Sequence, residues 1–141
     1  MIDIKLLGSA DAHVLDTVAG DVFDDPIIQA AAREFLADPR HRLVVALDND
    51  LVVGFVSAVI YLHPDKPAPE LWINEIGVAP THQRRGMGKA LLQAMLDEAK
   101  QSGCGEAWVL TERENTAAMA MYKSTGGVES APDPTMFTFR L

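Results

Sequence analysis

The fifteen residues Val78–Leu92, VAPTHQRRGMGKALL, run from the end of an apolar segment through a basic, glycine-rich turn into an amphipathic helical pattern. The first turn of a helix leaves backbone N–H groups without partners and carries the positive end of the helix dipole, so it stabilises an anion. Glycines at positions 86 and 88 let a phosphate approach that backbone, and Arg84, Arg85 and Lys89 add positive charge. The stretch therefore predicts a pyrophosphate site at the start of a helix.

Two other phosphate-binding motifs do not fit this stretch. A Walker loop needs a glycine five residues before Gly88 and a serine or threonine after Lys89, where the chain has Gln83 and Ala90. A dinucleotide-binding fingerprint needs a third glycine three residues after Gly88, and Leu91 stands there. The structural alternative is a capped helix with surface arginines and no ligand.

Length and composition are typical of one globular domain. The chain has 141 residues, 48% hydrophobic and 23% charged, and we expect a single domain over residues 1–141. The longest apolar run, Leu51–Leu62, is interrupted by Gly54 and Ser57 and is too short to cross a bilayer. The N-terminus does not have the pattern of a secretion signal, and the lone Cys104 cannot form an internal disulfide. We therefore expect a cytoplasmic protein that does not bind membranes.

The net charge of the chain indicates which kind of partner it binds. Twenty acidic against twelve basic residues give a formal net charge of -8, which argues against nucleic-acid binding and favours a cationic partner. Six aspartates fall in the first 25 residues, and a solvated acidic face is the structural alternative for them. No metal is predicted, because metal-ligand spacing is not found among the histidines, His13, His41, His63 and His82.

Hydrophobic periodicity predicts a mixed α/β chain with the element order β, α, α, β, β, β, α, β, α, β. Ser9 is expected to cap a first helix from Ala10 to about Ala19, and Asp25 a second helix that ends near Asp38. The turn DND joins the second and third strands into a hairpin, and HPDKPAP is a loop. The predicted strands are IDIKLL, RLVVAL, LVVGFVSAVIYL, LWINEIGV, EAWVLT and TMFTFRL, and the later helices are MGKALLQAMLDEAKQS and ENTAAMAMYKSTGG.

Two motifs carry a family resemblance. QRRGMG, after a strand ending EIGVAP, resembles the acetyl-CoA-binding motif of the GCN5-related N-acetyltransferase (GNAT) superfamily. NTAAMAMYKSTGG is similar to the family's later helix, although Gly127 stands where many members have phenylalanine. The resemblance implies acetyl-CoA as co-substrate and a GNAT-like fold, with a central, mostly antiparallel sheet splayed between its fourth and fifth strands and helices on both faces. The later helix is in register at Asn115, Ala118, Tyr122 and Gly126.

The resemblance also implies roles for single residues. Tyr122 would be the general acid that protonates the departing thiolate, and the Val78 N–H would polarise the thioester carbonyl. The alternative for Tyr122 is a half-buried aromatic on an amphipathic helix, and for Asn115 a helix cap. The cofactor-binding residues expected by this resemblance are Ile76, Gly77, Val78, Gln83, Arg84, Arg85, Gly86, Met87, Gly88, Lys89, Asn115 and Ala118.

Glu75 is the candidate base. A carboxylate in the middle of an apolar strand is expensive to bury, and burial would raise its pKa so that it takes a proton from an ammonium through water. The alternatives are that Glu75 faces solvent or pairs with an arginine. Glu112 and Glu114 are other candidates for the base.

A further resemblance implies that the acetyl acceptor is a small cationic amine. YLHPDKPAPELWINEIGV and GCGEAWVLTERENTAA resemble a GNAT branch that includes the aminoglycoside 3-N-acetyltransferases, which implies an acidic acceptor cleft and a role in antibiotic resistance. A protein or peptide Nα- or lysine acetyltransferase and a non-catalytic acetyl-CoA sensor are the alternatives. A homodimer, with the apolar last strand at its interface, is also expected. The predicted acceptor-binding residues are Asp24, Asp25, Asp65, Glu70 and Glu112.

Overall fold

The computed structural model of the protein describes residues 1–130 and 135–141. Its backbone forms two compact units, Met1–Leu110 and Thr111–Leu141. The first unit contains a five-stranded sheet and two α-helices, and the described part of the second contains one α-helix. The strands are β1 (Ile2–Leu6), β2 (His41–Asp48), β3 (Leu51–Tyr61), β4 (Glu70–Val78) and β5 (Glu106–Val109), and the helices are α1 (Gln29–Ala37), α2 (Met87–Gln101) and α3 (Thr116–Ser124).

The sheet is mixed and has the strand order β1-β2-β3-β4-β5. Neighbouring strands are antiparallel except for β4 and β5, which are parallel. The parallel pairing runs only from Glu70 opposite Glu106 to Ile73 opposite Val109, whereas β4 continues to Val78. The fourth and fifth strands therefore separate beyond Ile73, and the predicted GNAT-like sheet is confirmed.

The β2–β3 hairpin forms the centre of the core. Both strands are rich in β-branched residues, and Asn49 in the DND turn adopts the left-handed conformation, with φ of 56°, that asparagine tolerates. Val44, Val45, Val52 and Val56 are fully buried because both faces of these strands are covered. The hairpin prediction is confirmed.

Helices cover both faces of the sheet. On one face α2 packs so closely that a side chain at Gly54 would meet Leu91 at 3.1 Å. Phe55, the next residue of β3, points to the opposite face, where it stacks on Phe23 and lines a cavity together with α1. The buried face of α2 consists of Met87, Leu91, Leu92, Met95 and Ala99, whereas Leu96 is only partly buried.

The first forty residues contain less helix than predicted. In place of the helix from Ala10 to Ala19 there is one 3-10 turn, Ala12–Asp16, because Asp11 accepts a hydrogen bond from the Gly8 N–H at 2.7 Å. The following residues are drawn into the sheet, where Val18 bridges Val52. This segment, residues 17–23, is called the crossing segment below.

The predicted second helix begins later than expected. α1 starts at Gln29, and its N-cap position is occupied by Ile28 without a side-chain cap, so Asp25 does not cap it. The residues between Asp24 and Ile28 instead line the cavity beside Phe55. The predicted end near Asp38 is confirmed, since the Asp38 N–H bonds to the Phe35 carbonyl at 3.3 Å.

The predicted last strand is wrong. Residues 135–141 have no strand conformation, and the apolar residues Met136, Phe137, Phe139 and Leu141 are exposed. An alternating pattern favours an extended backbone, but a strand also needs a partner for its N–H and C=O groups, and this segment pairs with none in the described residues. No helix in the described part of the chain is long and apolar enough to cross a membrane.

Candidate active site

The basic turn before α2 has the geometry of an anion site. Gly86 is the N-cap of α2 with φ of 75°, and Arg84 is also left-handed, with φ of 63°. The first N–H groups of α2 therefore stay without helical partners beside three exposed cations, Arg84, Arg85 and Lys89. Within residues 1–130 and 135–141 none of these three cations forms an ion pair. The turn fits the pyrophosphate of coenzyme A.

Glycine at position 86 is explained by backbone conformation. A side chain there would meet no atom within 4 Å, so crowding within the turn does not require glycine. The positive φ does, because other L-residues adopt it at a cost. Met87, the next residue, is buried and anchors the start of α2 in the core.

The second half of β4 presents backbone groups at its free edge. The Ala79 N–H donates to the Val53 carbonyl at 2.8 Å, on the side of β3. Because successive residues of an antiparallel strand direct their N–H groups to opposite edges, Ile76 and Val78 direct theirs away from β3, where β5 no longer pairs. The side-chain amide of Gln83 donates to the Val78 carbonyl at 3.1 Å, which joins the basic turn to this edge.

A cavity of about 480 Å³ lies between α1 and the face of the sheet that carries Phe55. Most of its lining is hydrocarbon, contributed by Leu15, Phe23, Pro26, Ile27, Ile28, Ala31, Ala32, Phe35, Leu43 and Phe55. Ala58 and Val59 also line it, and its polar residues are three carboxylates, a histidine and two neutral residues, namely Asp24, Asp25, Glu75, His41, Ser57 and Asn74. An apolar hollow with a few acids is suited to an amine that carries an apolar substituent.

A β-bulge aims two consecutive residues of β4 into this cavity. Ser57 pairs with Glu75 and Ala58 with Ile73, so Asn74 is an extra residue without an opposite partner. In a regular strand Asn74 and Glu75 would point to opposite faces, but both line the cavity. Asn74 is a site residue that sequence reasoning missed, since no local signal marks the bulge.

Glu75 is exposed, so the expectation that this carboxylate is buried in the strand is wrong. The strand is apolar in sequence, but its second half has no β5 neighbour, and the bulge turns the carboxylate into the open cavity. The side chain pairs with no arginine in the described residues. Glu75 is thus accessible to an acceptor and to water.

Gly77 permits the crossing segment to touch the sheet. A side chain at Gly77 would collide with the Val22 carbonyl and would lie 2.8 Å from the Phe55 ring. Phe23 stacks on that ring at a centroid distance of 3.9 Å. Gly77 therefore sets how closely the crossing segment approaches β4, and its place in the cofactor site stays a prediction.

The acids of the first unit that were predicted to bind the acceptor are only partly brought together. Asp24 and Asp25 line the cavity, and a neighbouring hollow of about 450 Å³ shares them and adds Asp16 and Asp21. Asp65 and Glu70, predicted for the same wall, are not among the residues lining either hollow. Asp65 pairs with Lys66 at 3.7 Å.

Glu70 is engaged in a network inside the sheet. One of its oxygens accepts a hydrogen bond from the Tyr61 hydroxyl at 3.1 Å, and the other lies 3.3 Å from His63 Nε2. The Trp108 N–H donates to the same hydroxyl. This carboxylate is therefore used within the sheet and is not brought together with Asp24 and Asp25.

The second unit carries Tyr122 on α3. The N-cap of α3 is Asn115, whose side-chain oxygen accepts from the Ala118 N–H at 3.0 Å, so the predicted cap is confirmed. Tyr122 is half-buried, and burial raises the pKa of its phenol above the ordinary value. A phenol with a raised pKa stays protonated at neutral pH, as a proton donor must. Glu112, before the helix, is exposed.

Gly127 has a physical reason to be glycine. Its N–H donates to the Tyr122 carbonyl at 2.9 Å, and a side chain would lie 2.8 Å from that carbonyl oxygen. The departure from the family's phenylalanine thus accompanies a close turn at the end of α3. Among the described residues no group of three or more His, Cys, Asp or Glu could hold a metal ion.

The splayed sheet and the order of its elements agree with the family comparison. The chain belongs to the acetyltransferase (GNAT) family, whose model matches residues 13–126, and it is an acetyl-CoA-dependent N-acetyltransferase. It is 34% identical over 127 residues to the N-alpha-acetyltransferase RimI of Mycobacterium tuberculosis (strain ATCC 25618 / H37Rv). That alignment covers 89% of this chain and 77% of the relative.

Solved structures share the fold. An aminoglycoside acetyltransferase from an uncultured soil metagenomic sample superposes with a TM-score of 0.80 at 20% identity, covering 99% of this chain and 97% of that chain. AAC(6')-Iy in complex with the bisubstrate analogue CoA-S-monomethyl-acetylneamine gives a TM-score of 0.78 at 20% identity, with 100% and 99% coverage. At these identities the likeness concerns the fold alone. Neither structure's name supports the predicted 3-N branch in particular.

Proposed function

We propose that the protein acetylates the primary amine of an acceptor bound in the cavity beside β4, with Glu75 as base and Tyr122 as acid. Acetyl-CoA supplies the acetyl thioester. Glu75 takes a proton from the acceptor ammonium, directly or through water, and Tyr122 gives a proton to the sulfur that leaves. The turn Gln83–Lys89 holds the pyrophosphate, and the backbone of Ile76–Val78 donates to the amide arm and to the thioester carbonyl.

Asn115 and Ala118, which cap α3, are also proposed to contact the cofactor. Both lie at the start of α3, where they form its cap. The cap uses the Asn115 side-chain oxygen, so the side-chain NH₂ group remains a donor for the cofactor. Glu112, shortly before this helix, is an exposed carboxylate and is proposed as a further contact for a cationic acceptor.

The acceptor that best fits the cavity is the N-terminus of a peptide. The observation that carries this proposal is the mixed lining, in which hydrocarbon predominates and three carboxylates, Asp24, Asp25 and Glu75, are available to an ammonium group. An α-amine beside an amino-acid side chain needs both kinds of surface. The relative named an N-alpha-acetyltransferase, 34% identical over most of this chain, supports the same class.

A small polycation such as an aminoglycoside is the second candidate. It is favoured by the extra acids Asp16 and Asp21, which line the adjoining hollow and add to the negative potential of this wall. A polyhydroxylated sugar, however, has to hydrogen-bond over most of its surface, and the larger part of this lining cannot do so.

One acceptor panel separates the two candidates. Thiol release from acetyl-CoA would be measured with short peptides that have a free N-terminus, the same peptides with a blocked N-terminus, aminoglycosides and polyamines. Turnover with free peptides only would support the peptide proposal, and turnover with aminoglycosides only would replace it by the second candidate. Coenzyme A binding without turnover on any acceptor would contradict both and favour a sensor.

The role of Tyr122 is tested by replacement and by pH. Tyr122→Phe should leave coenzyme A binding within twofold and lower kcat by about 10²-fold, since general acid catalysis contributes roughly that much. Because burial raises the pKa of Tyr122, the protonated acid persists as the pH rises, and kcat should not fall until above the ordinary phenol value of about 10. An unchanged kcat in the phenylalanine variant would remove Tyr122 from the mechanism.

Three further predictions rest on the sequence alone. A cytoplasmic location, a homodimer and the treatment of residues 1–141 as one functional domain stay predictions. Gel filtration with light scattering tests the second, and a chain ending at Leu110 tests the third, since it would lack Tyr122 and the proposed cofactor contacts of Asn115 and Ala118 and should have no turnover.

A further inference from the structure

A histidine joins the basic turn to a distant part of the sheet. Nε2 of His82 lies 2.8 Å from a carboxylate oxygen of Asp48, and Nδ1 lies 2.8 Å from the Thr81 hydroxyl. Asp48 ends β2, 34 residues earlier in the chain, and the His82 side chain is only 13% exposed. A carboxylate only accepts, so Nε2 carries the proton and Thr81 donates to Nδ1 in the neutral ring. Both ring nitrogens are thus occupied.

This link lies directly before the phosphate turn. The 3-10 turn Pro80–His82 connects the end of β4 to Gln83, and the left-handed residue Arg84 follows two positions after the histidine. A non-glycine residue adopts that conformation only where its neighbours hold it. On the β4 side the turn is held by the Gln83 amide on the Val78 carbonyl, and on the other side by the imidazole of His82.

Asp48 also stands in the electrostatic field of the turn. The hydrogen bond from His82 holds the pKa of the Asp48 carboxyl below its ordinary value, and Arg85 contributes a weaker effect in the same direction. The carboxylate is therefore charged at neutral pH and close enough to Arg85 to influence it. An acidic residue next to a basic turn requires an explanation, since its negative charge by itself opposes the binding of an anion.

We propose that Asp48 and His82 are positioning residues for the phosphate-binding turn of this enzyme. The hydrogen bond from Nε2 to the carboxylate fixes the 3-10 turn against the β2–β3 hairpin. In this way it sets the direction of the N–H groups at Gly86–Lys89 before the pyrophosphate arrives. Neither residue touches the reacting atoms, and the role rests on the proposed assignment of Gln83–Lys89 to the pyrophosphate.

The test compares coenzyme A with a ligand that lacks both its phosphates and its adenosine. Calorimetry would measure the Kd of coenzyme A and of pantetheine, which has the amide arm and thiol but no phosphate, for the wild type and four variants. Asp48→Ala removes the acceptor of the hydrogen bond, and Asp48→Asn keeps an acceptor without the charge. Asp50→Ala removes an exposed carboxylate from the same hairpin turn, where Asp50 has no ion-pair or hydrogen-bond partner in the described residues. Gly86→Val disrupts the turn itself.

The expected loss of affinity is confined to the ligand that carries the pyrophosphate and the adenosine. Asp48→Ala should weaken coenzyme A binding about ten- to hundredfold, the range for a lost hydrogen bond to a charged group, and leave pantetheine binding unchanged. Asp48→Asn should restore coenzyme A binding to within twofold, and Asp50→Ala should not alter it. In kinetic assays Asp48→Ala should raise the KM for acetyl-CoA without changing kcat at saturation.

Other results would overturn the proposal. Coenzyme A binding within twofold in Asp48→Ala, an equal loss for coenzyme A and pantetheine, or no rescue by asparagine each excludes positioning through this hydrogen bond. Gly86→Val distinguishes a failure of the positioning role from a failure of the pyrophosphate assignment. If it abolishes coenzyme A binding while Asp48→Ala does not, the positioning role alone fails. If it has no effect, the pyrophosphate assignment of the turn fails as well.

Discussion

The two halves of β4 have the same strand conformation and opposite surroundings. In the first half, Glu70–Ile73, both edges are paired, Leu71 and Ile73 are buried, and Trp72 stacks on Trp108 at 5.3 Å. In the second half, Asn74–Val78, β5 no longer pairs, a bulge interrupts the register and no side chain is fully buried. The first half holds the sheet together, while the second offers backbone and carboxylate groups to ligands.

The difference shows how one strand serves both structure and chemistry. Backbone groups that pair on both sides are unavailable to a ligand, so a site needs a length of strand with a free edge. That length would be unstable alone, but β3 continues to pair with it as far as Val78. The separation of β4 and β5 after Ile73 therefore exposes the site without breaking the sheet.

The largest expected effect is a loss of activity without a loss of stability, and it concerns the second half of β4. Glu75→Gln should lower kcat by about 10²- to 10⁴-fold, because the amide cannot accept the ammonium proton, while the melting temperature stays unchanged. Glu106→Gln, at the start of β5, is the matched control and should keep full activity. Equal kcat for Glu75→Gln and the wild type would remove the proposed base.

The reverse pattern is expected in the first half. Leu71→Ala should reduce the free energy of unfolding by about 2–5 kcal/mol, since the side chain is fully buried and its loss leaves a cavity. Ile76→Ala, in the half-exposed second half, should cost clearly less in the same urea titration. If both cost the same, the two halves do not differ in packing as the structure describes.

Gly77→Ala should reduce both the stability of the protein and its binding of the acceptor. The added methyl group would collide with the Val22 carbonyl and the Phe55 ring, which should cost about 1–3 kcal/mol of stability and displace the crossing segment from β4. The KM for the acceptor should therefore rise more than the KM for acetyl-CoA. Gly105→Ala is the control, because a methyl group there meets only Ala68 at 3.4 Å. A Gly77→Ala variant with wild-type stability would contradict the close approach.

The smallest effect concerns the network beside the first half. Burial raises the pKa of Tyr61, and the hydrogen bond from Trp108 opposes that rise. The folded state therefore favours the neutral phenol of Tyr61. The stability that this preference contributes is complete below the ordinary phenol pKa of about 10, and it is lost as the pH rises through the pKa of the folded state. Trp108→Phe should raise the pKa of Tyr61 further and cost about 0.5–1.5 kcal/mol.

Ultraviolet difference titration follows the phenols in that experiment. Trp72→Phe is its control, because it disturbs the stacked pair but keeps the Trp108 N–H on the Tyr61 hydroxyl. A lower Tyr61 pKa in Trp108→Phe would show that the indole does not stabilise the ionised phenol. The second tyrosine, Tyr122, provides a reference for phenol ionisation in both variants.

Elements with a strong local signal were predictable from the sequence. The β2–β3 hairpin follows from two β-branched runs around an asparagine turn, and α2 follows from its periodic apolar face and from the glycine at its cap. The basic turn itself was read from residue types and spacing. Glycine at position 86 was expected to let a phosphate approach the backbone, whereas its left-handed conformation is known only from the structure.

Elements that depend on distant partners were not predictable. The first helix was predicted to continue to about Ala19, but Val18 pairs with Val52 and joins the sheet instead. Glu70 looked available to a cationic acceptor, yet Tyr61 and His63 engage it within the sheet. The final apolar alternation favours a strand, but no described neighbour pairs with it. In each case the competing contact lies far away in sequence.

The sequence by itself thus determined the family, the order of the well-formed elements and the basic turn. These depend on periodicity, on backbone preference and on charge, all of which act within a few residues. Only the tertiary structure decided that Asn74 forms a bulge, that Glu75 is exposed in a cavity and that Asp48 reaches His82. Such features arise when separate strands and turns pack in one register, and no short stretch of sequence specifies its distant partner.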